Sequence, residues 1–259
     1  MTILDHIIQN KIKEVEAKKA LFPISILETS LGFERTGASL ARALQNSKSG
    51  IIAEHKRRSP SKSVINDQVL LPEVVLGYES AGVCGISVLT DTNYFGGSLD
   101  DLSLARKCVA TPLLRKEFII DTYQIFEAKA YGADAILLIA AALSDSQLKT
   151  FSETAKQLGL EVLLEVHNKE ELDRSLLPSV DMLGVNNRNL KTFQVSTDIS
   201  KELSEKIPDD FVKISESGIS DRDTIHTLQT YGYKGFLIGE TFMKTKNPGA
   251  SAKKFIDRL

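Results

Sequence analysis

The chain has 259 residues, 42% of them hydrophobic and 25% charged, enough to bury a substantial core without covalent staples. Its formal net charge of −2 excludes a nucleic-acid footprint and an attraction to anionic membranes, so basic groups that matter must be few and local. Two cysteines, Cys84 and Cys108, form neither a disulfide framework nor a zinc site and fit a reducing cytosol as small hydrophobes.

From the N-terminus, Leu4, Ile7, Ile8, Ile12 and Val15 recur at helical spacing, which predicts an amphipathic helix whose charged remainder faces water. That segment lacks the apolar core of a secretory signal, and no apolar run is long enough to span a bilayer; a cytoplasmic protein is expected. A polar stretch, residues 28–50, follows and has room for one more short helix.

From Ile51 onward one unit repeats: a short apolar strand, a polar loop, an amphipathic helix. Eight strands are expected, at Ile51–His55, Gly85–Leu89, Pro112–Arg115, Ala135–Ala140, Glu161–Val166, Met182–Asn186, Phe211–Ser215 and Gly235–Gly239. Most are continuous apolar runs, as parallel strands buried on both faces should be. Capping-box patterns at Ser144–Gln147 and Ser220–Asp223 start two of the helices, with Asn168 and Asp121 as further caps and Pro72 in a first turn. Gly82, Gly132, Gly159 and Gly232 each stand three or four residues before a strand, where a helix-ending glycine belongs. Eight βα units with right-handed crossovers favour closure into a barrel. No glycine-rich dinucleotide turn follows the first strand, which counts against an open sheet. The expected architecture is one domain over residues 1–259, a (β/α)8 TIM barrel carrying residues 1–50 as an N-terminal helical extension.

Catalytic groups of such barrels project from the C-terminal strand ends. Strand alternation sends Glu54 and Lys56 of the first strand to the mouth and His55 away from it. Leu114, Lys116 and Phe118 share a face on the third strand. Glu165 closes a wholly apolar fifth strand, Asn186 and Arg188 end the sixth, and Glu216 ends the seventh. Charges at the close of buried strands are expensive unless paired or functional, and several from separate strands point to catalysis. His167 shares the parity of Glu165 but lies one step into a loop, where a surface or capping role is expected.

Phosphate is the expected substrate handle. The loops after strands seven and eight, Ser217-Gly218-Ile219 and Gly239-Glu240-Thr241, are small or glycine-led, so backbone N–H groups can approach an anion. No Walker sequence occurs, and the four histidines lack metal-ligand spacing, so no metal and no cofactor are expected.

Several segments together carry a family resemblance. They are Ile51 through Ser61 (IIAEHKRRSPS), Ser87 through Asp91 with Phe95 through Ser98, Pro112 through Phe118 (PLLRKEF), Leu163 through His167 (LLEVH), Gly184 through Leu190 (GVNNRNL) and Ser215 through Ile219 (SESGI). In that order they resemble the indole-3-glycerol phosphate synthases along essentially the full length, including the N-terminal extension. The resemblance implies conversion of 1-(2-carboxyphenylamino)-1-deoxyribulose 5-phosphate to indole-3-glycerol phosphate in tryptophan biosynthesis. It implies that Lys116 is the general acid at the substrate ketone, that Lys56 contacts the anionic groups of the substrate and can donate a proton, and that Glu54 and Glu165 are catalytic carboxylates. Asn186, Glu216 and Phe118 would line the substrate pocket, Ser59 and Arg188 would face the anthranilate carboxylate, and Ser217, Gly218, Gly239 and the amide of Glu240 would cradle the phosphate. Glu240 departs from the small residue found in some members; a carboxylate would repel phosphate, so its side chain is expected to turn away. The expected partner is the phosphorylated small molecule alone, bound by a monomer. Two other readings remain open on the residues themselves: a phosphate-binding isomerase or Schiff-base lyase, and a non-catalytic barrel that binds a phosphorylated metabolite.

Overall fold

A computed structural model describes residues 2–190 and 192–259. Its strands are β1 (Ile51–His55), β2 (Gly85–Leu89), β3 (Leu113–Lys116), β4 (Ala135–Ile139), β5 (Glu161–Val166), β6 (Met182–Asn186), β7 (Val212–Glu216) and β8 (Gly235–Ile238). They pair in parallel in sequence order, and β8 returns to β1 to close an eight-stranded barrel. The helices are α1 (Ile3–Leu21), α2 (Ile24–Leu27), α3 (Leu40–Gln45), α4 (Leu71–Ser80), α5 (Thr92–Phe95), α6 (Leu99–Cys108), α7 (Tyr123–Ala130), α8 (Asp145–Gln157), α9 (Lys169–Asp173), α10 (Asp198–Ser204), α11 (Arg222–Thr230), α12 (Glu240–Met243) and α13 (Pro248–Ile256). The molecule is therefore the expected TIM barrel with a helix at its N-terminus.

All eight strands lie where the apolar runs put them, with ends moved by up to one residue. β3 and β7 begin and end one residue later than expected, β4 gives Ala140 to a 3-10 turn, and β8 stops before Gly239. In β3 and β7 the ladder runs on into a charged residue, Lys116 or Glu216, because backbone pairing is indifferent to side-chain polarity.

Alternation along the strands separates two cores. Ile52, Leu114, Leu137, Leu163, Met182, Ile214 and Leu237 point inward and fill the barrel, while Ala53, Val88, Ile136, Leu164 and Val185 point outward under the helices. Helix α3 plugs the N-terminal end of the barrel: Leu40 and Leu44 are fully buried in the inner core and press on Gly85 and Gly235, where a Cβ would collide with neighbouring side chains. Bulk at the bottom leaves the cavity at the opposite end.

The four helix-ending glycines, Gly82, Gly132, Gly159 and Gly232, all take positive φ, as a left-handed C′ residue does. The capping box at Ser144 and the Asn168 cap form as expected. Two caps differ. Asp221 rather than Ser220 caps α11, accepting from Thr224 N–H at 2.8 Å. At α7 the N-cap is Thr122, while Asp121 accepts from Tyr123 N–H and pairs with Lys19 of α1. Cys84 is buried and Cys108 half-buried, both as free thiols.

Helix α1 corrects the sequence reading most. Its buried stripe is Ile7, Lys11 and Val15, with Ile12 exposed. Lys11 is 2% exposed and reaches Glu14 at 2.8 Å, Asp91 at 3.0 Å and Glu117 at 3.1 Å. A charge on the inner face is tolerated because three carboxylates meet it there. Among the described residues no helix is long and apolar enough to cross a membrane.

Candidate active site

A cavity of about 410 Å³ opens at the C-terminal end of the barrel. Every residue expected at the site lines it: Glu54, Lys56, Ser59, Lys116, Phe118, Glu165, Asn186, Arg188, Glu216, Ser217, Gly218, Gly239 and Glu240. Register explains the convergence. Glu54 sits opposite Ser87, Glu165 opposite Ile139 and Glu216 opposite Asn186, so each strand delivers its last inward side chain to the same layer.

At the centre, the Lys116 ammonium contacts Glu216 Oε2 and lies 3.2 Å from Glu165 Oε2. Lys56 pairs with Glu54 Oε1 at 2.7 Å, and the Ser87 hydroxyl donates to Glu54 Oε2 at 3.2 Å. Asn186 Nδ2 donates to Glu165 Oε1 at 3.2 Å, and its own Oδ1 accepts the Arg188 N–H at 3.0 Å. Three carboxylates with exposures of 2–4% thus share two ammonium groups.

Burial works to raise all three carboxyls, and their neighbours decide the outcome. Glu165 is held far below the usual range by Lys116, His167 and Asn186. Glu54 is also lowered, since Lys56, Lys116 and Ser87 outweigh its burial. Glu216 goes the other way, up to about 7, because burial together with Glu165 and Glu54 exceeds the pull of Lys116. Burial opposes the charge on Lys116, but the three carboxylates push its pKa well above the ordinary lysine value. The site therefore holds a fixed ammonium beside a carboxyl that exchanges protons near neutrality. Glu216 Oε1 is buried and has no hydrogen-bond partner among the described residues.

The cavity is apolar on one side and bounded by the loops after β7 and β8 on the other. Phe95 and Phe118 stand with ring centroids 5.9 Å apart, and Ile3, Leu4 and Ile7 of α1 add to the wall. On the opposite side Ser217 (φ 67) and Gly218 (φ 77) form a left-handed turn, a strained conformation for serine. Buried Asn187 locks that turn, donating from Nδ2 to Ser217 O at 3.1 Å and Ser215 Oγ at 2.9 Å. Gly239 precedes the single turn of α12, and a Cβ there would stand 2.8 Å from Glu54 Oε1. The Glu240 carboxylate pairs with Lys62 at 2.9 Å, in the loop after β1. His55 points outward and is fully buried, as its parity requires.

Four contributors escaped the sequence reading. Ser87 was detectable as a lone hydroxyl inside an apolar strand. Asn187 and Lys11 gave no local signal, because the groups their side chains bond, Glu14 apart, lie 13 to 106 residues away in the chain. His167, expected as a surface or capping residue, is 10% exposed and lies 3.3 Å from Glu165 Oε1.

Residues 4–255 match the family model described as indole-3-glycerol phosphate synthase. The chain belongs to that family. Curated relatives agree: the indole-3-glycerol phosphate synthase of Bacteroides thetaiotaomicron is 48% identical over 99% of this chain and 98% of its own length. That of Caldanaerobacter subterraneus subsp. tengcongensis is 44% identical with the same coverage. Among solved structures, a thiamine phosphate pyrophosphorylase from Pyrococcus furiosus superposes with TM-score 0.61 at 14% identity, over 85% of this chain and 98% of its own. A tryptophan synthase complex from the same organism gives 0.62 at 16%, over 82% and 97%. At those identities the structural likeness concerns the barrel fold alone.

Proposed function

We propose that this enzyme closes the indole ring of indole-3-glycerol phosphate from 1-(2-carboxyphenylamino)-1-deoxyribulose 5-phosphate, releasing CO2 and water. The observation that carries the reading is the Lys116 ammonium held between Glu165 and Glu216 on the floor of a cavity with one apolar wall and the loops after β7 and β8 opposite it. Family membership supplies the substrate.

The phosphate rests on the amides of Ser217, Gly218 and Glu240, and the aryl group lies against Phe95, Phe118 and the first turn of α1. Holding both ends turns ring closure into an intramolecular collision of fixed geometry. The aryl carbon bearing the carboxylate attacks the ketone carbon, and the developing alkoxide takes a proton from Lys116. An alkoxide is the stronger base, so even a tightly paired ammonium yields its proton there. The C–CO2 bond then breaks and its electron pair restores the aromatic ring. Lys56 protonates the remaining hydroxyl as it leaves as water, and a carboxylate takes a proton from the methylene beside the nitrogen, so that the new ring double bond forms while the nitrogen keeps its hydrogen. Glu216 suits that last role, since its free Oε1 is an acceptor and its pKa near 7 lets it gain and lose a proton at neutral pH. Ser59 and Arg188 steer the anthranilate carboxylate before it departs. A Schiff-base lyase would need Lys116 or Lys56 as a neutral amine, and for Lys116 the shift runs the opposite way.

We also place the enzyme in the cytosol, a reading supported by its free thiols, and read it as a monomer, which light scattering checks. The functional test is a fluorescence assay for indole-3-glycerol phosphate with wild type and Lys116→Ala. Turnover by the wild type with a loss of about 10²–10⁴-fold in the variant is expected. A folded wild type without turnover overturns the proposal.

A further inference from the structure

Beside the site stands a buried histidine for which ring closure has assigned no step. His167 follows β5 by one residue, and its ring is 10% exposed between two carboxylates. Nδ1 lies 3.1 Å from Glu171 Oε2, on the first turn of α9, and Nε2 lies 3.3 Å from Glu165 Oε1. Glu171 is itself pinned: Oε2 accepts the His167 backbone N–H at 2.8 Å and Oε1 accepts from Asn168 Nδ2 at 2.9 Å. Carboxylates only accept, and a neutral imidazole has a single N–H. One of the two carboxylates would then face a ring lone pair within about 3.3 Å, a repulsive contact in a dry setting. Nε2 forms no hydrogen bond with Glu165, so what a protonated ring supplies on that side is charge: an imidazolium stands within 3.3 Å of both carboxylates and offsets them together.

We propose that His167 is a positioning residue, a permanently charged imidazolium pinned by Glu171, which holds the Glu165 carboxylate ionised with its other oxygen turned to Lys116. Through Glu165 it fixes where the Lys116 ammonium points. The inference rests on the functional reading above, since it needs Glu165 and Lys116 to be the working pair. The ionisable groups against the ring are Glu165 of β5 and Glu171 of α9; Asn186 of β6 shares Glu165 Oε1, and Lys116 of β3 sits at its far oxygen. Burial disfavours the cation, but the two carboxylates prevail and carry the His167 pKa up to about 10.

The first test needs no turnover. In ¹⁵N-labelled protein at pH 8, both imidazole nitrogens of His167 are expected to be protonated; a neutral ring at that pH overturns the proposal. The second test is Glu171→Gln, which keeps the cap shape but removes one carboxylate, so that His167 loses its proton within the assay range. A new alkaline fall in kcat between roughly pH 7 and 9, absent from the wild type, is expected. His167→Gln, which keeps a donor but no charge, should lower kcat about tenfold across the range with KM within about twofold. A purely structural histidine would produce no new limb, and a Glu171→Gln profile that overlays the wild type overturns the proposal. Absence of turnover in the wild type would instead sink the functional reading, while the nitrogen spectrum would still report on His167.

Discussion

The backbone of Gly184 on β6 packs against the carboxylate of Glu216 on β7: a Cβ built on Gly184 would stand 2.5 Å from Glu216 Oε1 and 3.0 Å from Leu163 Cδ1. The proton-exchanging carboxyl is therefore shaped by a missing side chain. Gly184→Ala should displace Glu216 from Lys116 and lower kcat by about 10- to 100-fold, since a shift of about an ångström can cost that much. Stability should fall by about 1–3 kcal/mol from overpacking. Steady-state kinetics and urea denaturation check both, and unchanged kinetics in a folded variant would separate Glu216 from the chemistry.

The raised pKa of Glu216 has two consequences with opposite signs. If its ionised form accepts the methylene proton, activity should climb with pH through about 7, and Glu216→Gln should remove that limb along with most of the activity. For stability, the folded protein binds a proton between the ordinary value of 4.5 and about 7 that the unfolded chain has already lost. Glu216 therefore makes the wild type less stable as pH rises across that window, and Glu216→Gln should flatten the slope. Chemical denaturation at pH 5 and pH 7.5 measures it.

His55 behaves in the reverse sense. Burial, reinforced by Arg57, pushes its pKa down to about 4, and its Nε2 has no partner among the described residues. The unfolded chain binds a proton below about 6.5 that the folded protein refuses until about pH 4, so stability contributed by the neutral ring is lost as pH falls through that interval. His55→Leu should lower the acid-unfolding midpoint without changing turnover at pH 7.5. An unchanged midpoint would show that the ring is hydrated or paired in solution.

Lys11 joins α1 to the barrel mouth through Asp91 and Glu117, which have side-chain exposures of 2% and 1%. Lys11→Met would leave those carboxylates with weaker charge compensation: Glu117 keeps the Thr90 hydroxyl and the Phe118 N–H, each at 2.8 Å, with Arg115 Nη2 at 3.7 Å, and Asp91 keeps the helix-cap N–H groups. A loss of about 3–5 kcal/mol is expected, as for breaking a buried ion pair from one side. Urea denaturation at pH 7 decides, and a loss below about 1 kcal/mol would mean that α1 is held by its apolar contacts and its other polar ties, such as Lys19 to Asp121.

What the amino-acid order determined by itself is the part governed by short-range rules. Period-two burial and continuous apolar runs mark eight strands, glycines mark the helix ends, and alternation assigns Glu54, Lys56, Lys116, Glu165, Asn186 and Glu216 to one end of the barrel. Those inferences hold because strand parity and helix caps are decided within a few residues. The tertiary structure alone decided which carboxylate keeps its proton, since Glu54, Glu165 and Glu216 are the same residue type at equivalent strand ends. They differ only in what neighbouring strands and loops bring: Lys56 and Ser87 for the first, Asn186 and His167 for the second, an unpaired oxygen over Gly184 for the third. The same holds for Lys11, whose partners Asp91 and Glu117 lie 80 and 106 residues along the chain. Coulomb interactions act across space, and no local pattern in a chain records which distant charges closure of the barrel will bring within 3–4 Å.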